Sequence, residues 1–313
     1  MAVIEVQGPG LFTTVQDLGR EGFGPMGVSP SGAADALSLR IGNKLLGNAE
    51  GAAALEMTLL GGTFVFPDGA TVALTGSDFG PMLDSSVVQA WTPLSVARGQ
   101  TLRVGATRTG SRSYLCVRGG VEVKLFLGSA STHVLSGLGG HEGRALRKGD
   151  VLKIGAAEGS IRGRKLSARA REIFGLRKVL RVTPGPQRDR FDEASQANFY
   201  AGTYRVTEES NRMGLRLAGT PIPARSGGGM ISEGVALGAV QVPESGMPII
   251  LFVEQQTTGG YPKIANVISA DFHSLGQLRP RDEISFEPVA LETARALLRE
   301  QEALLASGEL LFA

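Results

Sequence analysis

Short apolar runs, separated by Gly, Pro, Asp or Asn, recur through most of this 313-residue chain and constrain its fold most strongly. They lie at residues 3–6, 63–66, 71–75, 101–105, 113–117, 151–155, 179–183 and 249–254. Short runs bounded by turn-forming residues are typical of antiparallel barrels and sandwiches, whereas βαβ units alternate strands with longer helices. The 44 glycines agree, because glycine enters tight turns without steric cost. The sequence predicts a mainly β fold.

Three stretches have helical periodicity and predict a few short helices, at residues 33–46, 189–200 and 292–305. The first places Ala34, Leu37, Ile41 and Leu45 on one face. Ser31 is an available N-cap for this helix, and Gly47 is a residue type that commonly ends one.

A phrase made of a basic residue, a tight turn and an alternating strand occurs three times, at residues 97–104, 147–154 and 280–286. It predicts barrel-closing hairpins, and its return late in the chain indicates two similar β domains. Between the copies, residues 157–178 are rich in Arg and Lys, which is typical of a solvated linker. We therefore predict an N-terminal domain at 1–165 and a C-terminal domain, ending in a helix, at 166–313.

Composition excludes several classes of function. A net charge of +2 without an aromatic-interleaved basic stripe argues against a nucleic-acid partner. No window approaches 18 uninterrupted apolar residues and the N-terminus lacks a signal-peptide pattern, so we expect no membrane association and a cytoplasmic protein. Cys116, the single cysteine, lies in an apolar run, where a buried hydrophobic role is commoner than a catalytic one.

The familiar catalytic signatures are missing from the sequence. The three histidines, His133, His141 and His273, have no metal-ligand spacing, so we predict no metal site on the chain. Neither a G-x-x-x-x-G-K-[ST] phosphate loop nor a G-x-S-x-G nucleophile elbow is present.

Polar residues instead collect directly after the strongest apolar strand, at residues 254–263. Strand-end loops commonly carry binding sites, and this one offers a carboxylate, amides, hydroxyls, a phenol and an ammonium. The candidate catalytic residues are Glu254, Tyr261 and Lys263, and the candidate binding residues are Thr257, Thr258, Gly259 and Gly260. The alternative is a polar turn that needs glycine for its conformation.

A second polar cluster lies at residues 210–216. Its two arginines, Arg212 and Arg216, could clamp a carboxylate or a phosphate, or they could decorate an exposed strand face.

The same phrases carry a family resemblance over about residues 5–290. They include TTVQDLGREGFGPMGVSPSGAADALSLRIGNKLLGN (13–48), TPGPQRDRF (183–191), SNRMGLRLAG (210–219), ISEGVALGAVQVPESGMPIILFVEQQTTGGYPKIANVISAD (231–271) and LGQLRPRDEISF (275–286). The chain resembles the family that includes the C subunit of 5-oxoprolinase, the carboxyltransferase region of urea carboxylase (allophanate hydrolase subunit 2) and the antagonist of the KipI kinase inhibitor. Two departures stand out: Glu254-Gln255 replaces an expected Asp-Arg, and Arg281 stands where glycine is usual.

The resemblance implies two cyclophilin-like β-barrel domains and an ATP-dependent 5-oxoprolinase, in which ATP and Mg²⁺ support the opening of 5-oxoproline to glutamate. Phosphorylation of the lactam oxygen would let water attack the ring. Lys263 and Arg212 would then stabilise anionic charge, Glu254 would bind Mg²⁺ or position water, and Thr257, Thr258 and Tyr261 would hold the lactam. Gln241 and Arg216 complete the substrate-binding set that the resemblance implies.

The resemblance also implies partners. The expected companion is the KipI-like B subunit of 5-oxoprolinase, and the A subunit of the same enzyme is a further candidate. Two alternatives remain open: transfer of a carboxyl group from carboxybiotin on a separate carrier to a urea-like acceptor, and non-enzymatic regulation by sequestering a kinase inhibitor.

Overall fold

The computed structural model describes residues 2–157, 159, 161, 164–225 and 229–312, and these residues form a mainly β protein. Packing divides the chain into two compact units. The first comprises residues 1–20, 31–174 and 304–313, and the second comprises residues 21–30 and 175–303. The mainly β prediction is confirmed, whereas the domain limits 1–165 and 166–313 stay a prediction. Along the described residues, no helix is long and apolar enough to cross a membrane.

The first unit is built from two large antiparallel sheets and a two-stranded sheet that contains residues 165–166. Its strands are β1 (Val3–Gly8), β2 (Phe12–Gln16), β3 (Ala54–Thr58), β4 (Thr63–Val65), β5 (Ala70–Gly76), β6 (Met82–Leu83), β7 (Ser86–Val87), β8 (Pro93–Val96), β9 (Thr101–Arg103), β10 (Arg112–Val117), β11 (Val121–Glu122), β12 (Val151–Ile154) and β13 (Lys165–Leu166). The seven-stranded sheet has the order β11-β12-β1-β4-β9-β6-β7, and the five-stranded sheet has the order β2-β3-β10-β5-β8.

Strand β10 is buried along its whole length because both of its faces are covered. Leu115 and Val117 belong to the larger core cluster, while Tyr114 and Cys116 alternate with them and pack with helix α1 (Ala36–Leu46). A continuous apolar strand of this kind is expected where a sheet is covered on both sides.

Helix α1 begins after Asp35, so the prediction that Ser31 caps it is wrong. The Asp35 carboxylate accepts a hydrogen bond from the Ser38 backbone N–H at 2.9 Å. Ser31 instead lies in a left-handed turn, with φ 57°, and its hydroxyl donates to the Thr132 carbonyl. Gly47 does end the helix, with φ 70°.

The basic run at 157–178 is only partly linker-like. Residues 165–174 form β13 and helix α2 (Ala168–Ile173), and Leu166, Ala170 and Phe174 pack into the first unit's core. The basic side chains Lys165, Arg169 and Arg171 alternate with these apolar residues and lie exposed, which explains how one segment carries both a charge run and a buried face. Residues 158, 160, 162 and 163 of this run lie outside the described residues.

The second unit contains a closed seven-stranded barrel and a separate two-stranded sheet. Its strands are β14 (Val179–Pro184), β15 (Tyr204–Val206), β16 (Gly214–Ala218), β17 (Glu233–Gly234), β18 (Ala239–Gln241), β19 (Ile249–Leu251), β20 (Thr258–Gly259), β21 (Lys263–Val267) and β22 (Glu283–Pro288). The barrel order is β14-β21-β18-β19-β16-β15-β22, and a parallel β14–β22 pairing closes it. The remaining pair, β17 and β20, forms a separate two-stranded sheet.

Three helices complete this part of the chain: α3 (Glu193–Ala201), α4 (Phe272–Gln277) and α5 (Leu291–Ala306). Helix α3 packs on β22, where Phe199 stacks on Phe286 with ring centroids 4.4 Å apart. The last strand, β23 (Leu311–Phe312), pairs with β13 in the first unit.

The turn phrases at 97–104, 147–154 and 280–286 were predicted to form hairpins, and that prediction is wrong. Along the described residues, the second phrase does not directly follow a strand, and the third follows helix α4. The first joins β8 to β9, and these strands belong to different sheets, with β8 paired to β5 and β9 paired to β4 and β6. The tight turn redirects the chain from one sheet to the other instead of pairing the strands that flank it.

All three copies of the phrase nevertheless share one turn geometry. The third turn position is left-handed at Gly99, Gly149 and Arg281, with φ between 74° and 93°. The fourth residue, Gln100, Asp150 or Asp282, accepts a hydrogen bond from the first residue's backbone N–H at 2.7–2.8 Å. Positive φ at this position is why glycine suits it.

Replacing Arg281 by glycine should stabilise the protein by about 0.5–1 kcal/mol. A non-glycine residue in the left-handed region costs roughly 1–2 kcal/mol, and glycine's greater freedom in the unfolded chain offsets part of that gain. The Arg281–Glu208 ion pair lost in the exchange is largely exposed, so it contributes little. Urea denaturation of Arg281→Gly measures the change.

The matched control is Gly149→Ala. A Cβ at residue 149 meets no atom within 4 Å, so the only cost is the backbone conformation. This variant should lose about 1 kcal/mol. Equal stability of all three proteins would contradict the assigned turn geometry.

Candidate functional site

A row of side chains on the outer wall of the barrel forms the centre of the candidate site. Ile249 on β19 is the register partner of both Arg216 on β16 and Gln241 on β18. Residues directly opposite each other in an antiparallel ladder point to the same face. Arg216, Ile249 and Gln241 therefore lie side by side across three neighbouring strands. Below, these three residues are called the outer row.

The neighbouring register positions form an apolar row on the opposite face. Leu215, Ile250, Val240 and Ala265 follow one another across β16, β19, β18 and β21, and all are buried. The exposed Arg216 identifies the outer row as the face that lies outside the barrel.

A cavity of about 540 Å³ lies over the outer row. Besides Arg216, Ile249 and Gln241, its lining includes Met213, Leu251, Gln256 and Tyr261, together with Asn211 and Glu209. The lining combines an exposed guanidinium, a carboxylate, three carboxamides and a phenol with apolar surface. Pockets of this size and composition suit small polar molecules.

Lys263 continues the polar surface next to Gln241. The two residues are register partners on β21 and β18, where a bulge interrupts the ladder, and Lys263 is 3% exposed. Its ammonium forms an ion pair with Glu233, 2.5 Å from a carboxylate oxygen. Because of this ammonium, and with help from the Gln187 amide, the pKa of Glu233 is lowered.

The β17–β20 sheet contributes Glu233 and Gly259, which are register partners. Gly259 lies against two of the amides. A Cβ on this residue would fall 2.6 Å from Gln241 Nε2 and 2.7 Å from Gln256 Nε2. Only glycine fits here without moving a side chain that lines the cavity.

Glu254 and Arg212 form a second, more deeply buried ion pair. Arg212 Nε donates to Glu254 Oε1, and the side chains are 8% and 6% exposed. The Glu254 backbone N–H also donates to the Arg212 carbonyl at 2.8 Å. Next to this pair, the Ser29 hydroxyl donates to the Val253 carbonyl, so the 21–30 segment reaches the same part of the second unit.

The predicted site residues thus occupy three places in the second unit. Arg216, Gln241 and Tyr261 line the cavity. Lys263 lies beside Gln241, and the 257–260 residues Thr257, Thr258, Gly259 and Gly260 lie in or next to β20. Arg212 and Glu254 form an ion pair with each other and are not among the cavity-lining residues.

Sequence reasoning missed Glu233, Gln187 and Gln256 as individual site residues. Gln187 Nε2 donates to Glu233 at 2.8 Å, and Gln187 Oε1 accepts from the Lys263 backbone N–H. Glu233 and Gln187 are far from the 254–263 segment in sequence. The signal that could have found them is their presence in the family phrases at 183–191 and 231–271.

The structure gives no support for a metal site or a nucleophilic cysteine among the described residues. Over the residues that the structure describes, no three His, Cys, Asp or Glu side chains converge so as to hold a metal ion. Burial raises the pKa of the Cys116 thiol to about 12, so it is protonated at neutral pH and unsuited to nucleophilic attack.

Comparisons with known proteins agree with this architecture. The family model described as "Carboxyltransferase domain, subdomain A and B" matches residues 26–288. The chain is 40% identical to the C subunit of 5-oxoprolinase from Escherichia coli (strain K12), over 94% of this chain and 93% of that protein. It is 34% identical to urea amidolyase of Saccharomyces cerevisiae, over 97% of this chain but only 18% of that protein.

Among solved structures, the K. lactis urea amidolyase superposes with a TM-score of 0.90 at 30% identity, covering 99% of this chain and 20% of that one. The relatives are therefore either subunits of similar length or much longer chains that contain one such region. The breadth of the family match, together with the identity along nearly the whole chain, shows that this protein belongs to the carboxyltransferase-domain family with subdomains A and B.

Proposed function

We propose that this chain is the C subunit of an ATP-dependent 5-oxoprolinase, which opens 5-oxoproline to L-glutamate in complex with partner subunits. The observation that carries the proposal is the 40% identity to the C subunit of the Escherichia coli enzyme over 93% of its length. The cavity on the barrel supports it, because Arg216 can pair with the substrate carboxylate while the carboxamides and Tyr261 face the lactam.

The proposed reaction requires ATP and Mg²⁺, but the residues of this chain are not suited to binding them. The sequence lacks a phosphate loop, and its described part has no convergent set of metal-ligating side chains. We therefore assign the nucleotide and its metal ion to a partner protein. The KipI-like B subunit is the proposed companion, and the A subunit is a further one.

Within this chain, the proposed roles follow from position. Lys263 brings positive charge to the side of the cavity, and Tyr261 lies at its exposed rim. Gly259 lies against the amides of Gln241 and Gln256, and Thr257, Thr258 and Gly260 lie next to it in or beside β20. Glu254 and Arg212 neutralise each other's charge where both side chains are buried. Glu254 therefore affects the site indirectly, by holding Arg212 in position.

A carboxyltransferase that takes carboxybiotin from a separate carrier is the second candidate. The TM-score of 0.90 to the K. lactis urea amidolyase favours it, since the fold is shared over 99% of this chain. Urea and 5-oxoproline both present an amide N–H next to a carbonyl, so one pocket chemistry could serve either substrate.

Activity should require assembly with partner subunits. Purified alone, the chain should show little ATPase activity. Co-expressed with companion 5-oxoprolinase subunits, it should elute with them in size-exclusion chromatography, and 5-oxoproline should stimulate the ATPase of the complex. Turnover that responds to urea and carboxybiotin, and not to 5-oxoproline, would replace this proposal by the second candidate.

Lys263→Met should lower the 5-oxoproline-dependent ATPase of the complex by about 10²–10³-fold, which is typical for the loss of one preorganised charged group. Folding should change little, because Glu233 is 44% exposed and can be solvated once its partner is gone. The control is Lys178→Met, which removes an exposed lysine paired with Asp282. Similar rates for the two variants would remove Lys263 from the site.

Glu254→Gln should act mainly on stability. It leaves the buried Arg212 guanidinium without its carboxylate, and breaking a buried ion pair in this way costs about 3–5 kcal/mol. Urea denaturation should show this loss. A variant that unfolds like the wild type but has lost its activity would instead place Glu254 directly in the chemistry.

A further inference from the structure

The side-chain amide nitrogen of Gln241 is a buried donor without an acceptor in the described part of the chain. The residue is 2% exposed and lies on β18, at one end of the outer row. Buried donors are nearly always paired in folded proteins, so an unpaired one calls for a specific explanation. Because Gln241 lines the cavity, a bound ligand is the natural source of the missing acceptor.

The neighbours of Gln241 define how such a ligand lies. Arg216 and Gln241 flank Ile249 in the ladder, so their Cα atoms are about 10 Å apart, the width of two strand spacings. The long side chains of Arg216 and Gln241 can reach toward each other over Ile249. The row thus presents a cation at one end, an apolar surface in the middle and a carboxamide at the other end.

A carboxamide recognises one kind of ligand edge especially well. Its N–H and C=O lie side by side in one plane, so it can donate to and accept from a partner that has the same two groups on one edge. The amide of a five-membered lactam is held cis, which places its N–H and C=O on one edge. A trans peptide bond points the two groups in opposite directions and cannot pair in this way.

We propose that Gln241 binds the N–H/C=O edge of a cis amide by two hydrogen bonds, while Arg216 takes a carboxylate and Ile249 contacts the ring methylenes. The identity of the lactam as 5-oxoproline rests on the proposed function. The edge itself is also present in urea, so the same residue can serve relatives that act on either compound.

Gly259 holds this arrangement in place. Its Cα lies close to the amides of Gln241 and Gln256, and a Cβ would fall 2.6 Å and 2.7 Å from their nitrogens. The backbone of β20 thereby limits where the Gln241 carboxamide can move. Gln256 lines the same cavity.

The test uses Gln241→Leu and Arg216→Leu in the reconstituted complex, with 5-oxoproline as substrate and 2-pyrrolidone as a competing lactam that lacks the carboxylate. Gln241→Leu should raise the KM for 5-oxoproline about 10- to 100-fold, which corresponds to the loss of two neutral hydrogen bonds. It should also abolish inhibition by 2-pyrrolidone. Arg216→Leu should raise the KM but keep that inhibition.

A second probe checks the amide edge directly. N-methyl-2-pyrrolidone has the carbonyl but no N–H, so it should inhibit the wild-type complex much more weakly than 2-pyrrolidone. Equal inhibition by the two compounds would overturn the two-bond arrangement.

Stability provides a readout that separates binding from structure. Gln241→Leu removes an unpaired buried donor, so its melting temperature should be equal to or higher than that of the wild type. The control is Gln301→Leu: Gln301 is buried, and its Nε2 donates to the Ala270 carbonyl, so this variant should melt lower with an unchanged KM. Loss of stability in Gln241→Leu matching that of Gln301→Leu would show that Gln241 is a structural residue.

Failure of the proposed function can be told apart from failure of this inference. If the wild-type complex does not turn over 5-oxoproline, the function is wrong, and calorimetric titration of 2-pyrrolidone into the wild-type chain and Gln241→Leu still tests the amide edge. Binding that Gln241→Leu weakens supports the inference. An unchanged KM in an active complex, or equal calorimetric affinity, overturns it.

Discussion

The hydrogen-bond register of β16, β19 and β18 is the constraint on which the candidate site depends. Side chains alternate between the faces of a strand, so a slip of one residue would exchange the two faces. Leu215, Ile250 and Val240 would then move to the outer face, and Arg216 and Gln241 would turn into the barrel interior. Burial of the apolar row therefore fixes the position of the polar row, and the core specifies the geometry of the site.

Charge in this part of the second unit is organised as pairs that differ in exposure. Arg212 and Glu254 are both buried, so each depends on the other for stability. Lys263 is buried but faces Glu233, which is 44% exposed and lies on a strand of only two residues. A buried ammonium held by an exposed carboxylate can exchange that partner for a ligand at smaller cost than a fully buried pair could. The Arg212–Glu254 pair therefore suits a structural role, whereas the Lys263–Glu233 pair suits ligand binding.

Much of the fold could be predicted from local pattern, because strands such as β5, β10 and β14 are apolar runs between turn residues. Structural features that depend on contacts between distant parts of the sequence could not be predicted in this way. Asp35 rather than Ser31 caps α1, and Leu166 and Ala170 are buried within a run of basic residues. In the site, Arg216 was named from the 210–216 cluster and Gln241 from the resemblance. Their placement on either side of Ile249 is a property of strand pairing, and Glu233 reaches Lys263 only through β17.

The central claim is that the outer row Arg216–Ile249–Gln241 is where the substrate binds. The most direct measurement is a structure of the reconstituted complex with 5-oxoproline, determined alongside the Gln241→Leu complex under the same conditions. The account predicts ligand density over Ile249 in the wild type, with the lactam edge at Gln241 and the carboxylate at Arg216, and much weaker density in the variant. Well-ordered 5-oxoproline bound elsewhere, with the cavity over the outer row filled only by water, would contradict it.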